Sequence, residues 1–125
     1  MTVWPASEDR TEFGIGVDVE EIDRWRVPDL RLFTPREIAY CQRLGRPEEG
    51  FAGRWVAKEA VVKALLPTVP ASVRDVEIVR GDTGEPLVHL SEHLAHRLVH
   101  IKVSIGHSDN IAVAFAVAVF APRVM

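Results

Sequence analysis

A chain of 125 residues with 47% hydrophobic and 26% charged positions has the make-up of one globular domain, with a genuine core and little room for a deep enclosed pocket. Its formal net charge of −3 gives no reason to expect a nucleic-acid partner. The single Cys41 rules out an internal disulfide and fits a reducing cytoplasm.

MTVWPASEDR has neither the basic opening nor the apolar run of a secretion signal, and residues 1–12 read as a flexible polar start to one domain spanning 1–125. FGIGVDVE, residues 13–20, alternates with period two and predicts a strand. Ile15, Val17 and Val19 take one face; Gly14, Gly16, Asp18 and Glu20 take the other, where the glycines are expected to leave room for a ligand against the backbone. TPREIAYCQRL predicts a helix with Thr34 as N-cap, Pro35 in the first turn and Glu37 completing a capping box, ended by Gly45. Cys41 on that helix reads as a packing residue rather than a nucleophile. A second helix is expected from about Phe51 until Pro67 stops it.

VRDVEIVR and LVHL, joined by GDTGEP, predict a hairpin. SEHLAHRLV predicts a short helix with Ser91 as N-cap. IKVSI and residues 111–119 flank the loop GHSDN and predict a second hairpin. The run 111–121 is too short to span a bilayer as a helix, so no membrane partner is expected. In that strand Ile111, Val113, Phe115, Val117 and Val119 share one face and four alanines the other. Both faces are expected to be buried, the alanine face by a helix or a neighbouring subunit. Helices mixed with largely antiparallel strands make the class α+β.

RWVAKEAVVKAL, residues 54–65, carries its charges in two stripes on an otherwise apolar helix: Glu59 with Lys63, and Arg54 with Lys58. Two solvated edges explain them on helix geometry alone. Asp18 and Glu20, roughly 6.7 Å apart along one strand face, can address one divalent cation; a solvated sheet edge is the alternative. A third carboxylate, for which Glu59 is the candidate, would complete an oxygen-only site suited to Mg²⁺ on phosphates, and Lys63 would then face the same anion. His89, His93, His96 and His100 read as a polar face rather than a zinc stripe. His107, placed at a hairpin tip, reads equally as a ligand contact or an ordinary loop residue. GDTGEP needs only to be a turn, and no phosphate-binding GxxxxGK[ST] loop or GxGxxG fingerprint is present.

GIGVDVEEI, FAGRWVAKEAVVKAL, GDTGEPLVHL and VSIGHSDNIAVAFAV follow one another in this chain. In combination they resemble the holo-acyl-carrier-protein synthases, the small phosphopantetheinyl transferases, over nearly the whole domain. The resemblance implies that family's fold, an antiparallel sheet with packed helices, and its reaction. In that reaction the phosphopantetheine arm of coenzyme A passes to a serine of an apo acyl carrier protein, or of a polyketide or peptide carrier domain. Mg²⁺ is required and 3′,5′-ADP is released. By position, Asp18 and Glu59 resemble the metal-binding carboxylates, with Glu20 a further candidate, and Lys63 resembles the lysine beside the pyrophosphate. Arg54 and His107 fall where the small enzymes hold the nucleotide, with Lys58 and Ser108 counted beside them, and Gly84 with Pro86 matches the turn near the adenine. Whether Glu59 binds metal, accepts the serine proton or does both is open at this level. The family also implies a homotrimer with sites between chains. A non-catalytic module binding coenzyme A or a carrier protein on the same fold is the alternative.

Overall fold

Small residues decide how this chain layers. The computed structural model describes residues 12–66 and 68–122, so the polar start up to residue 11 and the helix-stopping role of Pro67 lie outside the described residues. Strand β1 (Phe13–Glu21) leads through two 3₁₀ turns (Ile22–Trp25 and Leu30–Leu32) to helix α1 (Pro35–Gln42) and the long helix α2 (Pro47–Leu65). A third 3₁₀ turn (Val73–Asp75) precedes the hairpin β2 (Val76–Arg80) and β3 (Pro86–Leu90). A one-turn helix α3 (Glu92–Ala95) and the hairpin β4 (Leu98–Ser108) and β5 (Ile111–Phe120) complete the fold. The main sheet is antiparallel in the order β1-β5-β4, and β2-β3 form a separate two-stranded ribbon.

The alanine face of β5 is the helix-facing one. Ala112, Ala114, Ala116 and Ala118 are all buried, and α2 lies against them with Val56, Ala57, Ala60, Val61, Ala64 and Leu65 fully enclosed. Beside them in register on β1 stand Gly14, opposite Ala118, and Gly16, opposite Ala116. These glycines admit the helix, not a ligand as their sequence context suggests. A Cβ at Gly14 would overlap the carbonyl oxygen of Ala64, and one at Gly16 that of Ala60. Backbone atoms on both sides cannot yield as a side-chain tip can. Gly16→Ala is therefore expected to cost about 3 kcal/mol, the top of the overpacking range, or more, measurable as a lower urea midpoint at unchanged m-value.

The opposite face of the same sheet is left uncovered by the chain's own helices. In a single chain Phe13 and Ile15 are 66% and 67% exposed, and Val17, Val19, Ile111, Val113 and Phe115 lie open beside them. Period-two alternation fixed which residues share a face. It could not tell which face the chain's own helix covers.

The lower core joins α1, α2 and the ribbon. Trp25, Phe33, Phe51 and Trp55 stack in a chain of ring contacts with centroids 5.0–5.8 Å apart. Cys41 is wholly buried among them and α2, and burial pushes its thiol up to about 11. Thr34 and Glu37 form the expected capping box, but Glu37 does more than cap. Its carboxylate accepts from the Thr34 amide at 2.8 Å, from the Ile78 amide of β2 at 2.8 Å and from Lys58 Nζ at 2.6 Å. Lys58, read from sequence as part of a solvated stripe, is only 1% exposed. Its long stem dives between α1 and the ribbon because a carboxylate waits there.

Three local expectations shift. The helix over SEHLAHRLV shrinks to a single turn, since Leu98 already starts β4, and Ser91 makes no side-chain cap; its Oγ instead donates to Asp75 at 3.1 Å. The histidines at 89, 93 and 100 consequently stand on three different elements. The GHSDN loop closes to a two-residue turn at Asp109 and Asn110, with Asp109 in the left-handed region at φ 52°.

Candidate active site

Helix α2 crosses the inner sheet face obliquely. Its first half meets β4, where Gly53 faces Ile105, and its second half meets β1 at Gly16 and Gly14. The crossing at β1 places Asp18 beside the helix edge that carries Glu59 and Lys63. Lys63 Nζ donates to Asp18 Oδ1 at 3.0 Å and to the carbonyl of Val17 at 3.0 Å. Asp18 is held on the strand by register opposite Ala114, so its position depends on the same small-residue layer that seats α2. Lys63 thus pairs across elements, with Asp18, rather than with Glu59 along its own helix.

Glu59 is the electrostatically strained member of the trio. Burial first, then the negative charge of Asp18, raises its pKa above the ordinary carboxylate range, and Lys63 opposes the shift. Two carboxylates that repel across a half-buried cleft present hard oxygen donors to one cation. No group of three or more His, Cys, Asp or Glu side chains gathers closely enough among the described residues to enclose a metal. A pair of carboxylates is the kind of donor set that fits Mg²⁺, an ion held by one or two carboxylates with water and phosphate oxygens completing its shell. Glu20 is engaged elsewhere: although it shares the strand face, its Oε1 accepts from Arg24 Nη1 at 3.2 Å and from the Glu21 amide at 3.3 Å.

The second cluster lies at the other end of α2. Arg54 is 9% exposed, with its guanidinium 4.0 Å from the Tyr40 ring centroid. Among the described residues its Nε has no hydrogen-bond partner and no carboxylate pairs with it. A buried cation on an aromatic face with an unsatisfied donor is prepared for an anion. It lines a cavity of about 160 Å³ together with Glu49, Ile105 and His107. His107 is not at a loop tip: it belongs to β4, in register with Ala112, and its Nε2 lies 3.0 Å from Glu49 Oε1. Ser108, one residue on, faces the opposite side of the sheet and does not accompany it. Lys58 is likewise removed from the nucleotide set, since Glu37 occupies its charge. Gly84 adopts φ +88° in the ribbon turn and Pro86 opens β3; neither lines the Arg54 cavity.

Tyr40, Glu49 and Arg46, which holds Glu48 and Glu49 at 3.3 Å each, escaped the sequence reading. Tyr40 from α1 and Glu49 from the first turn of α2 line the cavity beside Arg54, and Arg46 at the N-cap of α2 holds Glu49. Spacing along one helix cannot reveal a ring supplied by another.

A family model described as the 4′-phosphopantetheinyl transferase superfamily matches residues 14–116. The chain is 40% identical over 119 residues to the holo-[acyl-carrier-protein] synthase of Caldicellulosiruptor bescii, covering 85% of this chain and 97% of that protein. It is 37% identical over 127 residues to the fatty acid synthase subunit alpha of Candida parapsilosis, covering 92% of this chain but only 7% of that much longer subunit. Among solved structures, the holo-(acyl-carrier-protein) synthase of Bacillus anthracis in complex with CoA (3′,5′-ADP) superposes with a TM-score of 0.71 at 30% identity, covering 86% of this chain and 96% of that one. The chain belongs to the phosphopantetheinyl transferases and, within them, to the holo-acyl-carrier-protein synthase family.

Proposed function

We propose that this protein transfers the 4′-phosphopantetheine arm of coenzyme A to a serine hydroxyl of an apo acyl carrier protein, releasing 3′,5′-ADP. The meeting of Asp18, Glu59 and Lys63 where β1 crosses α2 carries this reading, because a non-catalytic binding module has no use for two repelling carboxylates around a lysine. Asp18 and Glu59 would hold Mg²⁺. Bound there, the ion supplies charge neutralisation on the pyrophosphate oxygens. The serine oxygen forms a bond to the pantetheine-bearing phosphorus, the bond from that phosphorus to the departing ADP oxygen breaks, and the serine proton leaves to a base. Glu59, with its raised pKa, is suited to take that proton directly or through water. Lys63 places a fixed positive charge beside the oxygen on which negative charge grows. Arg54 and His107 would hold a further phosphate of the nucleotide. The likeness to fatty acid synthase subunits favours a carrier of fatty-acid synthesis.

The assembly we propose is a homotrimer with sites shared between chains. Two observations support it. The outer face of the main sheet is a broad apolar surface that one chain leaves bare, larger than isolated exposed residues account for. Arg54 and Lys63 stand nine residues apart on α2, which sets them roughly 13.5 Å apart along the axis and on opposite sides of the helix. One chain therefore turns its two ligand-binding clusters away from each other. A cyclic arrangement brings the Arg54 cluster of one copy towards the Asp18 cluster of the next.

Mass spectrometry of an apo carrier protein incubated with coenzyme A, Mg²⁺ and this protein tests the chemistry. A gain of one phosphopantetheine mass is expected, and binding without that gain would favour the non-catalytic alternative. Light scattering of the active sample is expected to return three times the chain mass of 13.9 kDa; a fully active monomer would rule out shared sites.

A further inference from the structure

The Arg54 cavity contains a carboxylate that the transfer reaction does not use. Glu49, in the first turn of α2, sends Oε1 to His107 Nε2 at 3.0 Å and Oε2 to Arg46 Nη1 at 3.3 Å. A single carboxylate thus engages His107 within the cavity lining and Arg46 outside it, while Arg54, also in the lining, is buried with an Nε that finds no partner among the described residues. Arg46 is tethered independently, since its Nε also donates to Glu48 at 3.3 Å, so it would stay in place if Glu49 let go.

We propose that Glu49 is a built-in competitor for the nucleotide's phosphate, occupying Arg46 and His107 while the cavity is empty, giving way when the phosphate enters, and returning to hasten release of the spent nucleotide. This rests on the reading that Arg54 and His107 hold a phosphate of coenzyme A. A phosphate offers three acceptor oxygens and up to two negative charges, so it outbids a carboxylate for guanidinium donors. It must nonetheless part Glu49 from His107 and settle close to a like charge, which weakens its binding. The arrangement gives up affinity for faster turnover. That is a useful exchange where the product carries the same nucleotide phosphates as the substrate and leaves by the same contacts.

The test is binding of 3′,5′-ADP to the intact protein and to Glu49→Gln and Glu49→Ala at one ionic strength, by calorimetry for affinity and stopped-flow displacement for dissociation. Both variants are expected to bind about three- to tenfold more tightly than the original chain, the scale of partly exposed charge contacts, with most of the gain in slower dissociation. Glutamine keeps the shape and alanine removes it, so agreement between them assigns the effect to charge. Equal or weaker binding by both variants, with the original chain still binding, would overturn the proposal and make Glu49 an organiser of His107. Failure of the original chain to bind 3′,5′-ADP would overturn the nucleotide reading, and this inference with it.

Discussion

Glu59→Gln is expected to abolish transfer while making the metal-free protein more stable. The rate should fall by about 10²–10⁴-fold, the range for removing one general acid or base, since the amide can neither take the serine proton nor offer a charged oxygen to a cation. The stability gain follows from the direction of the Glu59 shift. Burial and the charge of Asp18 raise its pKa in the fold, so ionising it works against folding. A group shifted this way favours the folded state below its unfolded pKa and loses that contribution as pH rises through the folded value. The variant should therefore melt above the original chain at neutral pH, and the gap should close near and below the ordinary Glu value of about 4.3. Thermal melts from pH 3.5 to 8 without divalent ions read this directly. A variant that melts lower at neutral pH would show that Glu59 is stabilised in place. Adding Mg²⁺ should raise the melting temperature of the original chain more than that of the variant.

Lys58→Met is expected to be the most destabilising single change on α2, even though it touches nothing in either ligand cluster. It would leave Glu37 fully buried without its cation, and breaking a buried pair in this way costs about 3–5 kcal/mol. The two backbone amides that Glu37 accepts would remain satisfied, which is why the loss should be partly recoverable. Lys58→Met combined with Glu37→Gln removes the stranded charge and keeps an acceptor for Ile78, while the glutamine amide nitrogen no longer accepts from Thr34, so part of the lost stability should return. Urea denaturation of the two single variants and the double variant completes a cycle. A cost below about 1 kcal/mol for Lys58→Met would place the pair in the weak class of solvent-screened ion pairs, contrary to its burial.

The sequence announces the parts of this molecule that depend on neighbouring residues. Thr34, Pro35 and Glu37 announce the start of α1, and alternation along β1 and β5 sorts their side chains correctly. The Asp18, Glu59 and Lys63 set was legible because helical spacing and strand spacing each place their own members. What stayed hidden depends on residues far apart in the chain. Lys58 looks solvated on a helical wheel because its partner Glu37 lies 21 residues earlier on another helix. Gly14 and Gly16 look like ligand space because the Ala60 and Ala64 carbonyls that fill it come from α2. Glu20 looks like a metal ligand until the 3₁₀ turn brings Arg24 back onto it. Hydrophobicity marks β5 as buried on both faces, yet folding of one chain covers only the face with the smaller side chains.

The sealed thiol of Cys41 gives the protein a reporter of its own motion. Alkylation requires the thiolate, and Cys41 is both wholly enclosed and pushed up by burial to about 11, so at pH 8 only about one folded molecule in a thousand carries the thiolate, and that one is sealed from reagent. Any labelling observed under native conditions must therefore pass through states in which α1 has lifted from α2. These two helices also carry Tyr40 and Arg54. A labelling clock read at this single atom, with and without nucleotide, would time the breathing of the seam along which Tyr40 supports the Arg54 guanidinium, with no dye, tag or engineered residue added.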